Sequence, residues 1–240
     1  MNRDYPELIR ALLAKAESTT SDAERDAYNA KAEALMIKWG VSEAELLAKA
    51  KEDAPGARPS DHIETRYFTV TGPNAADLAH WTATQIAGAF GDIKPLWVQG
   101  AKQWAAVGYT RDIDRIGLYV PRLLEQARTG WNSYRRRFRG MDQSTRNMHK
   151  RAYFLGFGET AAERIKATLH AETGRTTGYA LVLADKARDI DAYAQEHLTM
   201  SRTRGSRMDE SSRTAGQRDG RRARINAGDM GGRARAAVGR

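Results

Sequence analysis

Residues 110–139, TRDIDRIGLYVPRLLEQARTGWNSYRRRFR, carry the clearest core-facing pattern in the chain. Ile113, Ile116, Val120, Leu123, Leu124, Ala127, Trp131, Tyr134 and Phe138 recur at steps of mostly three and four, which gathers them on one face of a helix. Thr110 is placed to cap that helix. Asp112 and Asp114 fall in its first turn, where the helix dipole favours negative charge. Pro121 removes one backbone hydrogen bond and crowds the carbonyl of Gly117, so a kink or break is expected there, with Gly130 as a second irregularity. The stretch ends in Tyr134-Arg135-Arg136-Arg137-Phe138-Arg139, the densest positive charge on any element expected to be ordered.

Upstream, residues 5–50 read as three short helices. Leu8, Ile9, Leu12, Leu13 and Ala16 form the first apolar stripe. Ser21 with Glu24 and Ser42 with Glu45 are capping-box pairs, and Gly40 is placed to end the second helix. A bundle of this size is marginal alone and is expected to dock on the rest of the chain. Residues 51–62, with Pro55, Gly56 and Pro59 among charges, read as a linker. Ile63–Thr71 reads as a strand. Asn74 is placed to cap a helix running to Phe90. Ile93–Val98 and Gln103–Tyr109 read as a hairpin whose first strand is held to a sheet edge by Pro95.

Downstream, a helix is expected from Ser144 to about Glu172, a short strand over Tyr179–Ala184, and a last helix capped by Asp185. From Ser201 the apolar content collapses into Arg, Gly, Ser and Ala, and the segment is expected to be disordered when free. The spacing of Ala215-Gly216, Gly220 and Ala223 hints at a helix that forms on a partner. The expected fold is therefore α+β and helix-dominated: a three-helix module (1–50), the linker (51–62), a β-α-β-β-α-α domain (63–200) and a disordered basic tail (201–240).

The net charge is +9, and residues 201–240 hold +7 of it as 11 Arg against 4 acidic residues. The other 200 residues are nearly balanced at +2, yet residues 128–151 hold 8 Arg/Lys against one acid, Asp142. The folded part is thus expected to have two electrostatic faces. The absence of cysteine removes disulfides, thiolate nucleophiles and Cys-based zinc sites, and fits a reducing cytoplasm. No apolar run is long enough for a transmembrane helix, and no signal peptide is expected at the N-terminus, so no membrane association is expected.

Two segments resemble a known family. Ile9-Arg10-Ala11-Leu12-Leu13-Ala14-Lys15-Ala16-Glu17-Ser18-Thr19 and Ala32-Glu33-Ala34-Leu35-Met36-Ile37-Lys38-Trp39-Gly40-Val41 are similar to an uncharacterised N-terminal helical domain of phage and actinobacterial proteins. Residues 63–172 resemble the partner domain that often follows it, notably at Ile86-Ala87-Gly88-Ala89-Phe90 and Tyr153-Phe154-Leu155-Gly156-Phe157-Gly158. Both are domains of unknown function, so no site residues carry over. The resemblance implies a boundary near residues 50–62 and a phage or prophage setting.

No catalytic motif survives inspection. Gly156-Phe157-Gly158-Glu159-Thr160 lacks the Gly-Lys-Ser/Thr ending of a phosphate loop, and small residues that let helices approach explain it better. The five histidines show no metal-ligand spacing, so no metal or cofactor is expected, and exposed or capping roles are. The acid pairs Asp112/Asp114 and Asp189/Asp191 are explained by helix starts. The functional candidate is the basic cluster Arg128, Arg135, Arg136, Arg137, Arg139, Arg146, Lys150 and Arg151, interleaved with Trp131, Tyr134, Tyr153 and Phe154. Guanidinium forks fit phosphate oxygens, and exposed aromatic faces stack on bases. The tail adds Arg221, Arg222 and Arg224, in a segment of a type that binds nucleic acid through counterion release. The expected function is non-specific, salt-sensitive nucleic-acid binding by a cytoplasmic protein that is not an enzyme. The alternative is an adaptor that docks a host or phage protein through its N-terminal module.

Overall fold

The computed structural model describes residues 5–39 (except 22, 26, 30, 33 and 37), 62–173, 179–199 and 208–225. Helix α1 is Tyr5–Ser18. The described residues between 23 and 39 are helical and are called α2. The Ser21 hydroxyl accepts the Glu24 amide (3.4 Å), one half of the expected capping box. Ser42, Glu45, Gly40 and nearly all of the linker lie outside the described residues. Ile9, Leu12, Ala32, Met36 and Trp39 are buried in the same core as the central domain, so the module does dock on the rest.

The sheet is antiparallel in the order β1-β3-β2, with β1 Ile63–Thr69, β2 Ile93–Trp97 and β3 Gln103–Tyr109. Central β3 is buried from residue 104 to 109. Pro95 lies on an edge strand, where its missing N–H costs nothing. On one face Phe68 stacks on Trp104 (4.5 Å between centroids). That face meets helix α3, residues 75–88, which carries a π-helical segment at Leu78–Ala83. Asn74 does not cap it through its side chain; it takes a left-handed conformation (φ 60°) instead.

The central helix α4 spans Thr110–Tyr134 and tightens into a 3-10 turn at Arg135–Phe138. Every apolar residue in the opening stripe is buried. The expected break at Pro121 does not occur: the helix is continuous and the proline ring is exposed. The N-cap is Tyr109, while the Thr110 hydroxyl donates to the His62 carbonyl (3.2 Å). Helix α5 spans Gln143–Thr173. Asp142 caps it, accepting the Thr145 amide (3.0 Å) and hydroxyl (2.6 Å), a role the sequence did not mark.

Two expectations fail downstream. Tyr179–Ala184 is not a strand, and Asp185 is not a cap; both belong to helix α6, Tyr179–His197. Helix α6 covers the other sheet face with Ile190 and Ala194 against Val107. Its acids bind the sheet: Asp189 accepts from Tyr109 (2.9 Å) and Asp191 pairs with Lys94. Nor is the tail disordered throughout. Residues Glu210–Arg222 form helix α7, capped by Asp209, and Ile225 beyond it is fully buried.

Helix α7 is held through its smallest residues. It runs parallel to α5, with Ser212 at His149 and the Ala223 carbonyl at Arg164. A Cβ on Gly216 would overlap the Tyr153 carbonyl, and one on Gly156 would overlap the Arg213 carbonyl. One on Gly220 would lie 2.8 Å from the Phe157 carbonyl. Backbone thus packs on backbone, and the Gly156-Phe157-Gly158 run is a helix contact. Ion pairs and hydrogen bonds finish the joint: Arg213 forks onto Glu159 (3.0 Å), and Tyr153 donates to Asp219 (2.6 Å). The partner that orders this segment is the chain's own α5.

Where α4, α6 and the turn before β2 meet, four charged side chains are buried: Asp92, Asp112, Arg115 and Lys186. Lys186 donates to Asp112 (2.6 Å), and Arg115 pairs with Asp92. Burial and the Asp92 charge push the Asp112 carboxyl up to about 7, against the pull of Lys186 and Arg115. A carboxyl raised in the folded state contributes stability at low pH that is lost as pH rises through its folded pKa. Unfolding free energy is therefore expected to fall between pH 5 and pH 8. Denaturant titrations at the two values check this, and Asp112→Asn should flatten the difference.

Candidate nucleic-acid interface

The steps that bury Trp131, Tyr134 and Phe138 turn Arg135, Arg136, Arg137 and Arg139 outward. The 3-10 turn and Gly140 (φ 85°) then fold α5 back beside them. Between the two lies a cleft of about 590 Å³. Arg135, Arg136 and Arg139 line one wall, and Arg146 and Lys150 the other. Asn74, Asn132, Gln143 and Asn147 complete the lining, above Trp131 and Phe138.

The cluster divides by what each cation touches. Arg128 is absorbed structurally: it donates to the Pro73 carbonyl (3.1 Å) and the Thr71 carbonyl and pairs with Glu125. Lys150 (2.7 Å) and Arg151 (3.7 Å) share Asp77, and Arg151 lies outside the cleft lining. Arg137 rests over the Tyr134 ring (5.2 Å), and Arg146 donates to Gln143 (3.0 Å). Among the described residues, no carboxylate pairs with Arg135, Arg136, Arg137, Arg139 or Arg146. Nor does a described acid of the N-terminal helices pair with them.

The interleaved aromatics are not stacking platforms. Trp131, Tyr134, Tyr153 and Phe154 are 3%, 9%, 0% and 0% exposed and form one aromatic core. The tail arginines are also placed elsewhere. Arg221 and Arg222 end α7, and Arg224 lines a second groove near Arg25 and Arg122. Because α7 runs parallel to α5, they lie beside Arg164, about 20 Å along the helix from Lys150 at the helical rise per residue. The structure does not bring them to the cleft.

Behind the cleft, Phe138 stacks on His149 (4.1 Å). His149 Nδ1 meets both Ser212 Oγ (2.9 Å) and Asp209 Oδ1 (3.1 Å). A catalytic triad needs serine and carboxylate on opposite ring nitrogens; here both meet the same one, and Ser212 is fully buried. The trio anchors the start of α7. Burial works to raise the Asp209 carboxyl, but hydrogen bonds from Ser211 and Ser212 outweigh it and hold it at about 2. His80 is likewise packed rather than exposed, between Trp81 (3.9 Å) and Trp97 (4.0 Å), and burial lowers its pKa. Among the described residues no group of three metal-binding side chains forms, and no helix is long and apolar enough to cross a membrane.

The cleft amides went unmarked in the sequence. Asn132 and Asn147 belong to no motif, and Asn74 stands at a helix start, where capping is the ordinary role. Comparison with known proteins adds one match: residues 8–43, within α1, α2 and the segment after them, fit a family model described as a protein of unknown function (DUF2786). No curated protein and no solved structure matches the chain.

Proposed function

We propose that the protein is a nucleic-acid-binding accessory factor that contacts phosphates through the cleft between the 3-10 turn and α5. One observation carries this: arginines on both walls converge on a single concavity, and no described carboxylate pairs with Arg135, Arg136, Arg139 or Arg146. Packing does not require them there, since the residues that fill the core are their aromatic neighbours. Guanidinium groups left in this state bind phosphate oxygens with release of counterions, independent of sequence. A phage or prophage setting and a cytoplasmic location belong to the same proposal, supported by the resemblance of the N-terminal segments and the lack of cysteine.

Binding of fluorescent single- and double-stranded DNA and RNA at low salt tests it. Replacing Arg135, Arg136 and Arg139 by alanine should weaken affinity by about tenfold or more, or ~1.4 kcal/mol. Replacing Arg221 and Arg222 should weaken it less. Equal affinity for the triple variant and the wild type would remove the cleft as the site.

A further inference from the structure

We propose that the cleft is built for the end of a nucleic-acid strand, seating a terminal phosphomonoester with its nucleoside against the amides of the wall. This deepens the nucleic-acid reading above and stands only if that reading does.

Three features point to an end rather than a continuous backbone. The first is scale. A concavity of about 590 Å³ suits one small ligand, whereas a duplex meets proteins across grooves about 12 Å wide. The second is charge density. Arg135, Arg136, Arg139 and Arg146 meet in this volume with Lys150, and among the described residues a carboxylate, Asp77, offsets Lys150 alone. An internal phosphodiester brings one negative charge and must leave the cleft on two sides. A phosphomonoester brings a charge of about −1.5 to −2 at neutral pH, three acceptor oxygens and a single exit. The third is the amide lining. Gln143 donates to Asn147 (2.8 Å), and the buried Asn74 Nδ2 has no hydrogen-bond partner among the described residues. A turn of the Asn74 amide therefore delivers a donor to the cleft without breaking a bond. Amides offer both donors and acceptors, as base edges require. Trp131 and Phe138 are 3% and 7% exposed, too little for a base to stack on them.

Fluorescence anisotropy on the full chain tests this with one short single-stranded oligonucleotide in three forms: hydroxyls at both ends, a 5′-phosphate, or a 3′-phosphate. One phosphorylated form should bind about tenfold tighter than the hydroxyl form, ~1.4 kcal/mol. Arg139→Gln with Arg146→Gln should erase that difference, and Arg188→Gln, on α6 and outside the cleft, should keep it. If all three forms bind with equal affinity, the strand-end assignment fails while nucleic-acid binding stands. If none binds, both fail. A nucleoside monophosphate that competes as well as the phosphorylated oligonucleotide would make this a free-nucleotide site and overturn the assignment to a strand end.

Discussion

Gly216→Leu is expected to release helix α7 and to cost the protein about 3 kcal/mol or more, at or above the upper end of overpacking penalties. Overpacked sites usually relax by rotating a neighbouring side chain. Here the new Cβ meets the Tyr153 carbonyl and Phe157 amide, which belong to the backbone of α5 and cannot rotate away. The helix must withdraw, and its departure removes the Arg213–Glu159 fork and the Tyr153–Asp219 hydrogen bond and uncovers Ile225. Re-exposing Ile225 alone costs about 1.5–3 kcal/mol. Denaturant unfolding gives the stability, and limited proteolysis should find new cleavage between residues 208 and 225. Thr214→Ala, on the exposed face of the same helix, should leave both unchanged.

Lys186→Met is expected to cost little at pH 5 and about 1–2 kcal/mol at pH 8, less than the ~3–5 kcal/mol of breaking a fully ionised buried pair, because a carboxyl raised to about 7 takes up a proton instead. Its ammonium is the nearest compensation for Asp112; without it the carboxyl keeps the longer contact to Arg115 (3.8 Å) against the Asp92 charge in a buried site. Losing it drives the Asp112 carboxyl still higher, so the deficit should be larger at pH 8 than at pH 5. The double variant Asp112→Asn/Lys186→Met should recover much of the loss, because no uncompensated buried charge then remains. Unfolding of the four proteins at both pH values completes the cycle.

These two positions also show where sequence reasoning reached its limit. The α4 stripe was legible because Ile113 through Phe138 bury a continuous apolar face, and periodicity measures that. Pro95 was legible because a missing N–H has few places to go. Helix α7 was misread because its burial is of glycine, serine and alanine, whose contribution is close approach rather than hydrophobicity. The spacing of Gly216 and Gly220 was the surviving signal. Residues 179–184, Tyr-Ala-Leu-Val-Leu-Ala, are a short apolar run in which strand and helix have no distinguishing period. Lys186 was invisible because its carboxylate partner lies 74 residues away in sequence. The candidate site was half legible: the arginine run was plain, but the division between structural Arg128 and Arg135, which pairs with no described carboxylate, depends on which carbonyls and carboxylates the fold brings near.

The most direct test of phosphate binding in the cleft is the salt dependence of single-stranded oligonucleotide affinity, for the wild type and for Arg135→Gln/Arg136→Gln/Arg139→Gln. Each phosphate charge neutralised on a single strand contributes about 0.7 to the slope of log affinity against log salt, so the triple variant, which loses its hold on the one phosphate group the cleft seats, should lose roughly 1 from that slope. An unchanged slope would mean that those three arginines touch no phosphate, and would contradict the account.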